Sequence, residues 1–181
     1  MRLFTAIDIP PEIKSRLRAF VDRLRPTAKL SWSPVDNLHV TTKFIGEWPE
    51  TKLAKLKDTL ASLPKPGAVE IAVRGLGWFP NAKNPRVFWA GIEVNESLRQ
   101  LAENTEQGLA AIGVPVEDRA FHPHLTLARR RDPVPLEHLK RILDSLSPDS
   151  SDFGTFDAVS FFLYLSAAGK YTKLEEFRLE I

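Results

Sequence analysis

Shifted by 85 positions, the amino-acid sequence lies over itself, and this self-similarity constrains the fold more than any other feature. Leu3-Phe4-Thr5-Ala6-Ile7-Asp8-Ile9 falls on Phe88-Trp89-Ala90-Gly91-Ile92-Glu93-Val94, Ile13 on Leu98 and Leu24 on Leu109. His39-Val40-Thr41 falls on His124-Leu125-Thr126. Similarity at a fixed period marks a structural repeat, but two units are too few for a solenoid. The expectation is one bilobal domain in which residues 1–85 and 86–170 form two pseudo-symmetric lobes and residues 171–181 a closing strand. The same shift carries Arg86 onto Tyr171, which would put the closing strand in a third copy of the first strand's place.

Local patterning fills in an α+β fold. Arg2 to Ile9 reads as a strand, and Pro10-Pro11 opens the helix marked by Ile13, Leu17, Phe20, Val21 and Leu24. His39 to Ile45 is the next strand; Leu53, Leu56, Leu60 and Leu63 mark a helix stopped by Pro64. Val69 to Leu76 and Arg86 to Val94 read as strands around a turn-rich loop. The order then recurs: a helix from Leu98 to Ile112, a strand from His124 to Ala128, and a helix from Leu136 to Leu146 opened by Asp132-Pro133 as cap and first turn. Phe156 to Leu165 and Leu174 to Ile181 close the chain as strands. Two pseudo-symmetric α+β lobes are therefore expected, each with flanking helices.

Composition narrows the chemistry. The chain of 181 residues has no cysteine, which excludes a disulfide framework, a thiol nucleophile and any Cys-ligated metal. Lys+Arg is 25 against 23 for Asp+Glu, too even for a histone-like nucleic-acid binder but compatible with a local basic patch. No apolar run approaches the roughly 18 residues of a membrane span, and Asp8 comes too early for a signal peptide. A cytoplasmic, monomeric protein without membrane attachment is the expectation.

On a strand, residues i and i+2 share a face, so His39 and Thr41 point together, as do His124 and Thr126. A single His-x-Thr is ordinarily a hydrogen-bonded histidine and a β-branched filler. Two in register, on strands related by the repeat, bring two imidazoles and two hydroxyls to one cleft. One neutral imidazole can take a proton from water while the other, as imidazolium, gives one to a leaving oxygen. The hydroxyls can hydrogen-bond the non-bridging oxygens of a phosphate between them. That reading needs neither metal nor cofactor. His122-Pro123-His124 alone could start a metal site, but no carboxylate cluster completes it.

These residues resemble a known family. Asn37-Leu38-His39-Val40-Thr41-Thr42-Lys43-Phe44-Ile45-Gly46 resembles the first signature of the two-histidine phosphoesterases, in their 2′-5′ RNA ligase-like branch. Phe121-His122-Pro123-His124-Leu125-Thr126-Leu127-Ala128-Arg129 resembles the second. Further similarity lies in Leu3-Phe4-Thr5-Ala6-Ile7, Pro85-Arg86-Val87-Phe88-Trp89-Ala90-Gly91 and Leu163-Tyr164-Leu165-Ser166, so it covers nearly the whole chain. The resemblance implies a bilobal α+β fold with an antiparallel sheet in each lobe and the active-site cleft between them. It implies RNA 2′,3′-cyclic phosphodiesterase activity yielding a 2′-phosphomonoester, on RNA ends or nucleotides that carry the cyclic phosphate. It also implies that His39 is the proton donor, His124 the acceptor, and Thr41 and Thr126 the phosphate clamps. The residues themselves support the pair but not its order.

Other residues are weighed beside these. Arg129, whose planar fork suits phosphate oxygens, is a further phosphate-binding candidate. It follows the second histidine by five, where the family often has an arginine, although strict strand parity would turn it off the His124 face unless the strand ends or bulges. Arg130 and Arg131 read as a solvated face. Lys43 shares parity with His39 and could add positive potential to the cleft; Thr42 should face away. His122 reads as a flanking histidine and His138 as a surface one. Trp78, Trp89 and Phe4 read as core, with Trp32 and Phe79 the candidates for stacking on a base. Two other functions fit the same residues: 2′-5′ ligation of a cyclic phosphate to a 5′-hydroxyl, and non-catalytic recognition of RNA ends.

Overall fold

The computed structural model describes residues 1–179 and contains two antiparallel sheets and four α-helices among them. Strand β1 (Arg2–Asp8) lies between β3 (His39–Glu47) and β8 (Ser160–Ala167), and β9 (Lys170–Arg178) closes the edge of this sheet. The second sheet runs β2 (Ser31–Trp32), β6 (His124–Arg129), β5 (Val87–Ile92), β4 (Val69–Phe79), β7 (Asp152–Ala158). Helix α1 (Pro11–Leu24) follows β1 and α3 (Glu96–Ala110) follows β5; α2 (Leu53–Ala61) and α4 (Glu137–Asp144) follow β3 and β6.

At the offset of 85, β1 corresponds to β5, β3 to β6, and β4 to the stretch ending in β8. Yet β4 lies in the sheet of β5 and β6, while β8 lies in that of β1 and β3. Each half of the chain therefore gives its last strand, β4 or β8, to the other half's sheet, so 1–85 and 86–170 are interleaved. Helix α1 follows the same exchange: Phe20 packs edge-on against Phe153 of β7 at 5.1 Å, and Arg16 donates to the Phe153 carbonyl. Tyr171 lies in β9 at the outer edge beside β8, so the closing strand does not take the central place held by β1 and β5.

The helices form where apolar spacing expects them. In α1, Ile13, Leu17, Phe20, Val21 and Leu24 are buried as one stripe, Pro11 occupies the first turn, and most of the sequence between is exposed. Helix α3 is opened by Asn95, whose side chain accepts from the Leu98 N–H. Helix α4 departs from expectation: it starts at Glu137, with Leu136 at the cap, and not at Asp132-Pro133. Pro135 disfavours helical backbone at Val134, which delays the start. The stretch Phe156 to Leu165 is two strands in different sheets, separated at Val159, a break that its continuous β-rich pattern does not show. The last strand ends at Arg178, and the expected extension through Glu180 and Ile181 lies outside the described residues.

One apolar core joins the inner faces of both sheets, from Leu3, Ile7 and Val40 to Phe88, Leu125 and Phe161. A small separate cluster of Phe4, Ala6 and Tyr164, flanked by Phe162, occupies the other face of the first sheet. That second face carries the histidine. No helix among the described residues is long and apolar enough to cross a membrane.

Candidate active site

His39 and His124 open their strands, β3 and β6, and these two strands approach one another across the sheets. Each imidazole is anchored alike. Nδ1 of His39 lies 2.7 Å from the Asn37 carbonyl, and Nδ1 of His124 lies 2.7 Å from the His122 carbonyl. A carbonyl oxygen only accepts, so each ring donates through Nδ1–H and keeps Nε2 free to exchange a proton. Asn37 and His122 are themselves related by the offset of 85.

The strands share a second device. Along β1, Thr5 pairs with Lys43 and Ala6 with Thr41, so Thr42 is an extra residue in β3. Along β5, Phe88 pairs with Ala128 and Trp89 with Thr126, so Leu127 is extra in β6. A bulge reverses the alternation beyond it. Thr41 and Thr126 remain half-buried beside their histidines; Thr42, facing away as expected, is buried and hydrogen-bonded to Thr5 at 2.7 Å.

Past the bulges the strict-parity expectations fail in both directions. Lys43 turns into the interior, 5 % exposed, where Nζ binds Glu106 and the Pro115 carbonyl at 2.8 Å each; it adds no charge to the cleft. Arg129 turns onto the His124 face, exposed, and its charge acts on that imidazole. Phe44 holds the equivalent position on β3, is 63 % exposed and lies 6.2 Å from the Phe4 ring. Arg130 is not on a solvated face: half-buried, it donates through Nη2 to the Val134 carbonyl at 2.7 Å, while Arg131 is exposed.

Aromatic rings support each imidazole. His39 stacks on Phe4 at 4.7 Å, Tyr164 stacks on Phe4 at 5.2 Å, and Tyr171 meets His39 edge-on at 5.1 Å. His124 meets Phe79 edge-on at 4.9 Å and Trp89 at 6.5 Å. Trp89 lies flat over Gly77, where any Cβ would collide with the indole. Phe4 and Trp89 are related by the offset, as are Phe79 and Tyr164, so pairing of aromatics across the repeat is the signal that marks these supports. Phe4, read as core, is buried and also carries His39; Phe79, the candidate for stacking on a base, meets His124 edge-on. Trp32 does not reach the cleft: it sits in β2, packs on Phe88, and donates through Nε1 to the Ala28 carbonyl. His122 is exposed and rests on Phe79 and Trp89; His138 is exposed on α4.

Burial, the largest influence on both imidazoles, lowers each below the ordinary value of 6.5. The charges around them differ. Asp8 beside His39 favours its protonated form, whereas His122 and Arg129 beside His124 disfavour protonation. Among the described residues, no group of three or more His, Asp or Glu side chains is placed to hold a metal.

Two bulged strands from two sheets, each presenting a histidine and a threonine with mirrored anchors, give the chain the fold of a two-histidine phosphoesterase. The sequence profile of the LigT-like phosphoesterases matches residues 7–89 and 92–163, and the chain belongs to that family. The chain is 39% identical over 146 residues to an RNA 2′,3′-cyclic phosphodiesterase of Thermus thermophilus, spanning 75% of this chain and 71% of that protein. It is 32% identical over 167 residues to one from Methanocaldococcus jannaschii, spanning 92% and 91%. Among solved structures, a Thermus thermophilus protein superposes with a TM-score of 0.79 at 34% identity, covering 99% of this chain and 98% of that one. Escherichia coli LigT complexed with 3′-AMP superposes with a TM-score of 0.73 at 25% identity, covering 98% and 97%.

Proposed function

We propose that this protein is a metal-independent RNA 2′,3′-cyclic phosphodiesterase that opens the ring to a 2′-phosphomonoester. The observation that carries the reading is the pair of mirrored Nδ1–carbonyl bonds, which leave both imidazoles as matched Nε2 proton carriers. Nε2 of His124 takes a proton from water as the water oxygen bonds to phosphorus. Nε2–H of His39 gives its proton to the 3′ oxygen as the P–O3′ bond breaks, so charge and protons balance and the 2′ ester remains. The hydroxyls of Thr41 and Thr126 and the Arg129 guanidinium hold the non-bridging oxygens, whose charge grows in the transition state.

The surrounding charges support this order. A donor must hold its proton and an acceptor must lack it at the working pH; Asp8 serves the first need and Arg129 with His122 the second. A hollow of about 310 Å³ beside His39 supports placing the ribose, which bears the leaving oxygen, on that side. The names of the relatives support the substrate class.

The test is incubation of the protein with a nucleoside 2′,3′-cyclic phosphate in excess EDTA. Sustained turnover to the 2′-phosphate is expected. A 3′-phosphate product, or activity abolished by the chelator and restored by a divalent metal, overturns the reading.

A further inference from the structure

Three side chains converge beside His39, and the second half of the molecule lacks their equivalent. Asp8 lies directly opposite His39 where β1 pairs with β3. The Tyr164 hydroxyl donates to Asp8 Oδ1, and Lys173 Nζ forms a salt bridge with Oδ2. Tyr164 reaches this position because it stacks on the same Phe4 ring as His39, their own ring centres being 6.0 Å apart. At the offset of 85, Asp8 corresponds to Glu93 and Tyr164 to Phe79. Glu93 is drawn to Arg74 at 3.1 Å, and Phe79 has no hydroxyl.

We propose that Asp8, fixed by Tyr164 and Lys173, is a positioning residue that makes His39 the proton-donating member of the pair. This rests on the phosphodiesterase reading above. A carboxylate near an imidazole stabilises the imidazolium, and a hydroxyl and an ammonium on its two oxygens hold that carboxylate in one orientation. The Tyr164 phenol keeps its own proton, since burial and then Asp8 push it well above its ordinary value.

The other charged and titratable groups facing His39 do not substitute for Asp8. Lys14 of α1, Asp36 from the turn before β3 and Tyr171 of β9 line the same hollow. Lys14 reaches the Asp36 carbonyl, and the Asp36 carboxylate is held by Arg18 at 2.9 Å. Tyr171 offers His39 an edge and not a charge.

The test compares pH–rate profiles of the wild type, Asp8→Asn and Lys173→Met on a nucleoside 2′,3′-cyclic phosphate, beside NMR titration of the His39 ring without substrate. Asp8→Asn should move the alkaline limb down by roughly half to one pH unit and leave the acidic limb in place. Lys173→Met should move the alkaline limb up, because Tyr164 still holds the carboxylate in place while a neighbouring positive charge is removed. The His39 ring should titrate with the same two signs. An unmoved ring in folded Asp8→Asn, or shifts of the same sign in both variants, overturns the proposal. Should Asp8→Asn fail to fold, Lys173→Met, altered at a half-exposed side chain, decides it alone. Absence of wild-type turnover would overturn the phosphodiesterase reading, and the ring titration would still decide the role of Asp8.

Discussion

The two half-sites are alike in backbone and unlike in charge. Both have a carbonyl two residues upstream that anchors Nδ1, a threonine two residues downstream, a bulge, and aromatic support. Around this shared frame the half-site of His39 has Asp8 and Tyr164, and the half-site of His124 has Arg129 and Phe79. The lesson is chemical. A general acid and a general base need opposite protonation states at one pH, so a perfectly repeated site would serve neither role well. On the proposed acid–base reading, the repeat supplies position, and its departures from symmetry place a carboxylate by His39 and positive charge by His124.

The largest predicted effect breaks the pair. His39→Ala and His124→Ala should each cut turnover of a nucleoside 2′,3′-cyclic phosphate by about 10²–10⁴-fold, with the fold intact by circular dichroism. A phosphodiester with a nitrophenyl leaving group needs no proton donor, and so separates the roles. On that substrate His39→Ala should recover much of the lost rate and His124→Ala should not. Recovery in His124→Ala alone would reverse the assignment.

A sharper comparison sets Lys43 against Arg129, the two basic residues that follow the motifs. Arg129→Ala should cost about 10–10²-fold in kcat/KM through loss of a charged phosphate contact. Lys43→Met should leave kcat/KM within about twofold. It should instead destabilise the fold by about 1–3 kcal/mol in urea melts, since Glu106 loses its buried partner. The opposite result, an activity loss at Lys43 without a stability loss, would place its side chain in the cleft after all.

This contrast shows what the sequence discloses and where it stops. The amphipathic helices, the strand cores and both His-x-Thr triplets are legible because periodicity and residue type are local. The bulges at Thr42 and Leu127 are not, since no residue type there demands one; they turned Lys43 inward and Arg129 outward against simple alternation. The exchange of β4 and β8 is hidden for a related reason: β patterning marks a strand without naming its neighbour. The aromatic supports were accessible through Phe4 over Trp89 and Phe79 over Tyr164. Rings in an apolar stretch ordinarily mean core, and only the histidines lying on them give these four a second role.

The smallest effect concerns stability and follows from burial of both imidazoles. Each is held below 6.5 in the folded protein, so the unfolded chain binds protons more readily as pH falls through that value. Stability should therefore be fully present above about pH 6.5 and decline below it, as the buried rings resist charging. His124, with Arg129 and His122 adding to the desolvation, has no carboxylate to offset that decline, whereas His39 has Asp8. Thermal melts between pH 7.5 and 5, run on wild type, His39→Gln and His124→Gln, would read the difference. The slope of Tm against pH should flatten in both variants. An unchanged slope in both would mean that neither imidazole is desolvated enough to couple its protonation to folding, and the electrostatic contrast between the half-sites would lose its basis.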